Sequence, residues 1–488
     1  MKKLKLPKGI LAVLTVLIVV ASLLVLSIFA GSALINNADG SSGDNTEADT
    51  PYVPEKRTYK RPEETYEGVQ GIMLRSTVSN VNASILPDTQ VTDYIIIADG
   101  TNPSSAITAI NAAGVNAWMS VPVAAIGDDV LADIEEFASS YDIYGIELDF
   151  CGMTWTAGAP NCSTNAIDAF VSDAADITKA NDIKLSTKVY SDINTSYTFG
   201  LNVCNWVSNG YVDMVSPSSG SEYSNTDMSL RLWASLLDPS GVVLAPYIGG
   251  QIKNYSSSTT VTAQTAETLA GEAAVAIAHG ADKICLNEYV NANMLKVVGS
   301  YDTVMAHDRV HHVTYNSAVQ NWVNSYNNQL PKTFNQSTNA IRIPIGNIPE
   351  GATVKVRITY ENAYFQYTNS DSEYESTYPS DELPSVKVYV NSQECIYNGA
   401  VNGTKVYGNG SYEFMDRFVQ MGYDYNTFEY TVPEEGYITI EHDDGTEENI
   451  LVFDLYDEGY GYIVFELLPD VDGESFKLYG VQVIVDVP

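Results

Sequence analysis

Two carboxylates two residues apart, Glu147 and Asp149, end an apolar run at residues 144–152, YGIELDFCG. In a strand, residues i and i+2 share a face, so both acids lie on one side while Ile146, Leu148 and Phe150 lie on the other. A pair of carboxyl groups, one protonated and one ionised, is the minimum equipment for cleaving a glycosidic bond through an oxocarbenium-like state. Acids at the C-terminal end of a parallel barrel strand point into the mouth, where barrel active sites lie. The chemistry therefore depends on whether the rest of the chain builds such a barrel.

Short apolar runs recur at 69–75, 94–99, 115–122, 143–150, 183–190, 211–217, 242–247 and 283–289. Helical patterns separate most of them, at 104–113, 128–139, 164–180, 226–237 and 262–279. This alternation predicts a (β/α)8 barrel over residues 67–328, with the first connection, 76–92, lacking a helix pattern. A doubly wound open sheet is the alternative. After Pro331 the composition shifts to alternating strands with turns and many tyrosines, which predicts an antiparallel β-sandwich over residues 333–488.

In the barrel register the strand ends present Arg75, Asp99, Ser120, Glu147 with Asp149, Lys188 with Tyr190, Ser216, Tyr247, and Asn287 with Glu288. Asp149 and Glu288 are the candidate catalytic pair. Lys188 lies on the strand after Asp149, and Arg75 on the strand beside Glu288, so each acid gains a cation that favours its charged form. With Lys188 beside it, Asp149 is the ionised partner and Glu288 the proton donor. Glu222, in the loop 218–223, is the alternative to Glu288. Arg75, Asp99, Glu147, Lys188 and Asn287 are candidate substrate contacts, and Glu147, deeper along its strand, also fits a buried ion-pair layer. Trp155, Tyr190, Tyr223, Tyr247 and Tyr289 are candidate platforms for sugar rings.

The run at 144–151 resembles the fourth-strand motif of barrel glycoside hydrolases, in which a small hydrophobic run ends in Asp. It is similar to the chitinase-type motif Asp-Gly-x-Asp-x-Asp-x-Glu, with Tyr144 at the first Asp, Glu147 at the second, Asp149 at the third, and Cys151 where the proton-donating Glu stands. It is also similar to α-galactosidase-type barrels, whose Asp-x-Cys matches Asp149 and Cys151, and in which Glu147 replaces a Lys. The resemblance spans about eight residues and implies a catalytic role for Asp149.

Three readings follow. The first is a glycoside hydrolase with an accessory sandwich. The second is a carbohydrate-binding or adhesive surface protein on a barrel that has lost turnover, to which the cysteine at 151 points. The third takes Lys188 as a Schiff-base lysine in an aldolase-like lyase. No cofactor is implied.

Lysines 2, 3, 5 and 8 precede an uncharged apolar run at 10–35, long enough to span a bilayer, so residues 1–36 read as a signal anchor with the chain beyond it outside the cell. A cleaved signal after 31–33 is the alternative, giving a secreted protein. Residues 37–66, rich in Ser, Gly, Asp, Glu and Pro, read as a flexible stalk. With 61 acidic and 25 basic residues, net charge −36, the chain repels phosphate backbones, which excludes nucleic-acid binding. Five cysteines are too few for a disulfide scaffold, although Cys151 and Cys162 bracket a loop that a bridge could close. Asp443, Asp444, Asp454 and Asp457 supply oxygen ligands for a structural calcium in the sandwich.

Overall fold

The computed structural model describes residues 71–313 and 330–488, except 88, 153–162, 221–222, 227, 254–260, 288–290, 335–339, 347, 350, 369–373, 377–385, 391–392, 415–416, 433–436, 442–446, 452–459 and 468–475. Glu63–Pro488 is one compact unit. The expected anchor at 10–35, the stalk and the four calcium-ligand aspartates lie outside the described residues. Among those described, no helix is long and apolar enough to cross a membrane.

The first half is a curled, all-parallel sheet. Its strands are β1 (Ile72–Thr77), β2 (Val91–Ile97), β3 (Asn116–Pro122), β4 (Gly145–Asp149), β5 (Lys184–Tyr190), β6 (Met214–Ser218), β7 (Val243–Leu244), β8 (Tyr247–Ile248) and, after the small hairpin β9 (Gln251–Lys253) and β10 (Val261–Ala263), β11 (Ile284–Asn287). The order is β7-β6-β5-β4-β3-β2-β1-β11-β8. It runs in sequence without the reversal that defines a doubly wound sheet. The two edge strands belong to one run, 243–248: Val243 and Leu244 register with Met214 and Val215 of β6, while Tyr247 and Ile248 register with Cys285 and Leu286 of β11. Pro246, which has no N–H to give a ladder, falls at the break.

Helices α1 (Ser104–Ala112), α2 (Asp128–Ser140), α3 (Thr164–Ala180), α4 (Ile193–Thr198), α5 (Val203–Ser208), α6 (Leu230–Leu237) and α7 (Ala266–Ala278) fill the connections. The longest, α3, starts where the Ser163 side chain accepts from Ala166 N–H, satisfying a first-turn donor. It buries Ile167, Phe170, Val171, Ala174, Ala175 and Thr178, the i, i+3, i+4, i+7 stripe of a helix lying on a sheet. Each large member of that stripe contributes about 1.5–3 kcal/mol on burial. The β1–β2 connection holds only two 3₁₀ turns, Val78–Asn80 and Ala83–Ile85, matching the absent helix pattern there. The helix expected from 262 begins at Ala266 because 261–263 pairs with β9.

Alternation divides the sheet residues between two cores. Ile146, Leu148 and Phe150 join the large cluster under the helices, whereas Met73, Ile95, Trp118, Met214, Ala245, Tyr247 and Cys285 form a separate cluster on the concave face. Gly145 belongs to that face because a Cβ there would run into the Trp118 ring and would sit 2.8 Å from the Lys184 carbonyl.

The remaining strands are antiparallel. A seven-stranded sheet contains β12 (Arg309–His312), β24 (Phe476–Asp486), β15 (Thr353–Thr368), β20 (Arg417–Thr431) and β19 (Ile396–Phe414) in that order, with β13 (Lys332–Phe334) on β24 and β16 (Tyr374–Ser376) on β15. A four-stranded sheet orders β14 (Ala340–Pro344), β23 (Tyr460–Leu467), β17 (Val386–Val390) and β18 (Gln393–Glu394), and β21 (Tyr437–Glu441) pairs β22 (Glu447–Leu451). Buried residues of both larger sheets, among them Ile341, Val356, Val388 and Val483, share one apolar cluster. Strand β12 lies inside the stretch 67–328 yet pairs with β24, so the C-terminal sheet begins before residue 333.

Candidate functional site

Asp149 and Glu147 sit on β4, facing the concave side with Arg75 of β1, Ser120 of β3 and Lys188 of β5. Arg75 spans both acids: its Nε donates to Glu147 Oε1 at 3.2 Å and its Nη2 to Asp149 Oδ2 at 2.5 Å. Nη2 also donates to Ser120 Oγ at 3.1 Å, and that hydroxyl donates on to Glu147 Oε1 at 2.8 Å. Lys188 Nζ donates to Asp149 Oδ2 at 3.1 Å, and the backbone N–H of Cys151 donates to Asp149 Oδ1 at 3.0 Å. The Lys188 ammonium also lies 4.7 Å from the centroid of the Tyr247 ring, which a cation favours electrostatically.

Depth separates the two acids. Glu147 is 0% exposed, and its Oε2 has no hydrogen-bond partner among the described residues. Asp149 keeps 11% of its side chain accessible at the C-terminal end of its strand. Burial alone would raise the Asp149 carboxyl, but Lys188, then Arg75, with the hydrogen bonds from Lys188 and the Cys151 N–H, outweigh it and hold it below the ordinary carboxylate range. Lys188 is opposed by burial and by Arg75, yet Asp149 keeps it an ammonium above its usual range. A Schiff-base lysine needs the neutral amine, so this environment does not prepare Lys188 for that chemistry. Burial pushes the Tyr247 phenol up to about 12 and the Cys151 thiol well above its usual value, so neither gives up a proton near neutrality.

Several expected residues find other surroundings. Arg75 lies opposite Asn287, the residue before Glu288, and its guanidinium pairs with Glu147 and Asp149. Glu147, a candidate substrate contact, is wholly enclosed by its ion pair. Tyr190 is 0% exposed and packs on Phe199 at 5.2 Å between ring centroids. Tyr247 is 5% exposed and lies under Lys188. Asp99 is exposed beyond the end of β2, accepting from Thr101 N–H at 2.9 Å in a turn. Asn287 registers opposite Arg75. Tyr223 bridges Gln251. Trp155, Glu222, Glu288 and Tyr289 lie outside the described residues, as does Cys162; Cys151 is a free thiol.

A further buried acid, Asp93 on β2, lies outside the residues that the sequence singles out. It accepts from Trp118 Nε1 at 2.9 Å and Asn116 Nδ2 at 3.1 Å, and pairs with Lys283. It lies near the N-terminal end of the strands, the end that serves stability in barrels. Period-two counting from Ile95 would have placed it on the concave face. Glu272 and His312 are buried together between α7 and β12; an acid in the apolar middle of the alanine-rich helix 266–278 is the sequence signal for the pair.

No family model and no curated protein matches the chain. Among solved structures it is similar to a chitinase from Chromobacterium violaceum ATCC 12472, at 13% identity over 44% of this chain and 93% of that one, TM-score 0.33. It is similar to deoxyribose phosphate aldolase from Aeropyrum pernix at 14% identity over 47% of this chain and 88% of that one, TM-score 0.32. It is similar to a spore cortex-lytic enzyme from Bacillus megaterium QM B1551 at 11% identity over 37% of this chain and 51% of that one, TM-score 0.28. These likenesses are coarse.

Proposed function

We propose that the strands from β1 to β11 close into a (β/α)8 barrel, that the antiparallel sheets beginning with β12 form an accessory sandwich, and that the protein is a glycoside hydrolase acting outside the cell on a polysaccharide. The barrel reading rests on the two edges of the sheet being halves of one run, 243–248. The observation that carries the function is Asp149: a partly accessible carboxylate at a strand's C-terminal end, held ionised by two cations. Such a group suits a nucleophile or base. Glu288 is assigned the proton donor. The apolar run at 10–35 is assigned the tether.

A second reading, a carbohydrate-binding protein without turnover, is favoured by Cys151, whose half-buried thiol stands where the chitinase-type motif has its proton donor. The full chain and Asp149→Asn, incubated with uncharged polysaccharides, separate the two. A hydrolase releases reducing ends and loses at least about a hundredfold of that rate in the variant while binding persists. Binding with no release by the wild type supports the second reading; neither binding nor release overturns both.

A further inference from the structure

Helix α7 carries one acid inside its apolar middle. Glu272 Oε1 accepts from Ser224 Oγ and, at 2.6 Å, from Gln264 Nε2; His312 Nε2 stands 3.6 Å away. These partners come from three segments: Ser224 from the connection after β6, Gln264 from the connection between β10 and α7, and His312 from β12, which pairs with β24. A cavity of about 10 Å³, room for one water, adjoins Glu272 and is lined also by Asn225 and Thr226. The helix meets the strand at backbone distance. A Cβ at Gly271 would collide with the Val310 carbonyl, and one at Gly346 (φ +69°) would fall 2.8 Å from the Ala274 carbonyl.

Serine, histidine and glutamate together suggest a nucleophile triad, but the geometry is wrong for one. Ser224 Oγ lies 3.4 Å from the same Nε2 that faces Glu272, and Ser224, Glu272 and His312 are 2%, 6% and 6% exposed. The trio shares one nitrogen and meets no substrate.

Glu267 and His279 of α7 and its cap, and Arg309 and His311 of β12, are the other titratable groups on these two elements. Tyr301 and Asp302 lie on the neighbouring helix Tyr301–Met305. Among the described residues only His312 stands at ion-pair distance from Glu272. A carboxylate enclosed without a cation is strongly disfavoured against its neutral acid. We propose that protonated Glu272 and neutral His312 form a lock that fastens the two rim connections to the C-terminal sheet. Burial pushes Glu272 up to about 7 despite the hydrogen bonds from Ser224 and Gln264, and burial pushes His312 down to about 4. The inference is independent of the glycosidase reading.

The signs oppose. Glu272, raised from 4.5 to about 7, contributes stability that is full below pH 4.5 and lost as pH rises to about 7. His312, lowered from 6.5 to about 4, contributes stability that is full above pH 6.5 and lost as pH falls to about 4. The wild type therefore varies little between, and Glu272→Gln, a mimic of the protonated acid, isolates the carboxyl. Relative to that variant, the unfolding constant of the full-length wild type rises about 300-fold from pH 4.5 to above 7, the 2.5-unit shift expressed as a ratio. Ring-nitrogen NMR on the wild type gives a second readout, with five histidines to assign by single replacement. His312 stays neutral down to about pH 4. A ratio that is flat or falls with pH, or a His312 ring that titrates above 6.5, overturns the lock.

Discussion

Replacing Arg75 by methionine removes the one side chain that touches both acids of β4. Asp149 retains Lys188 at 3.1 Å and the Cys151 N–H at 3.0 Å. Among the described residues Glu147 retains only the Ser120 hydroxyl at 2.8 Å and already has one oxygen without a partner, and it is 0% exposed. The cost therefore concentrates at Glu147, as an enclosed charge stripped of its cation, and amounts to about 3–5 kcal/mol. That is a large share of the roughly 5–15 kcal/mol that holds a domain folded. Removing the stranded charge as well, in Arg75→Met with Glu147→Leu, recovers most of the loss, because an apolar pair of similar volume is about as stable as a buried ion pair. Urea unfolding of the full chain measures both: the midpoint falls for the single variant at unchanged slope and returns toward the wild type in the double. A loss below about 1 kcal/mol for Arg75→Met, or a double variant whose loss is the sum of the two singles, refutes the coupled cluster.

Asp149 is held below its ordinary 3.8, so its contribution to stability is present above pH 3.8 and lost as pH falls through the lower native value. The stability gap between the wild type and Asp149→Asn, followed by unfolding from pH 7 to pH 2, is accordingly constant down to about pH 4 and narrows below it; a gap that narrows from pH 6 contradicts the double clamp. Native thiol labelling with a maleimide modifies Cys204, which is exposed, ahead of Cys285 and Cys395, which are buried and whose thiols burial pushes up; mass spectrometry of the labelled peptides checks the order.

How much was legible follows from what each signal depends on. The strands at 115–122 and 183–190 and the helix at 164–180 were readable because their apolar periods and caps are local, and they occur at Asn116–Pro122, Lys184–Tyr190 and Thr164–Ala180. The long strands β19 and β20 carry no such mark. Their glycines and asparagines weaken the strand preference that the tyrosines give, and their conformation comes from pairing with each other and, for β20, with β15.

Alternation within β4 determined by itself that Glu147 and Asp149 share a face, and the order of apolar runs determined the parallel sheet. Only the tertiary structure decided who answers those acids. Arg75 lies 72 residues from Glu147 and 74 from Asp149, and nothing in either segment records that the curled sheet brings them to 3.2 and 2.5 Å. Burial likewise arises only when distant elements pack, which is why Tyr190 and Tyr247, plausible as open platforms in sequence, are enclosed, and why Glu272 meets His312 at all. A side chain's type is local; its neighbours, its access to water and therefore its charge belong to the assembled fold.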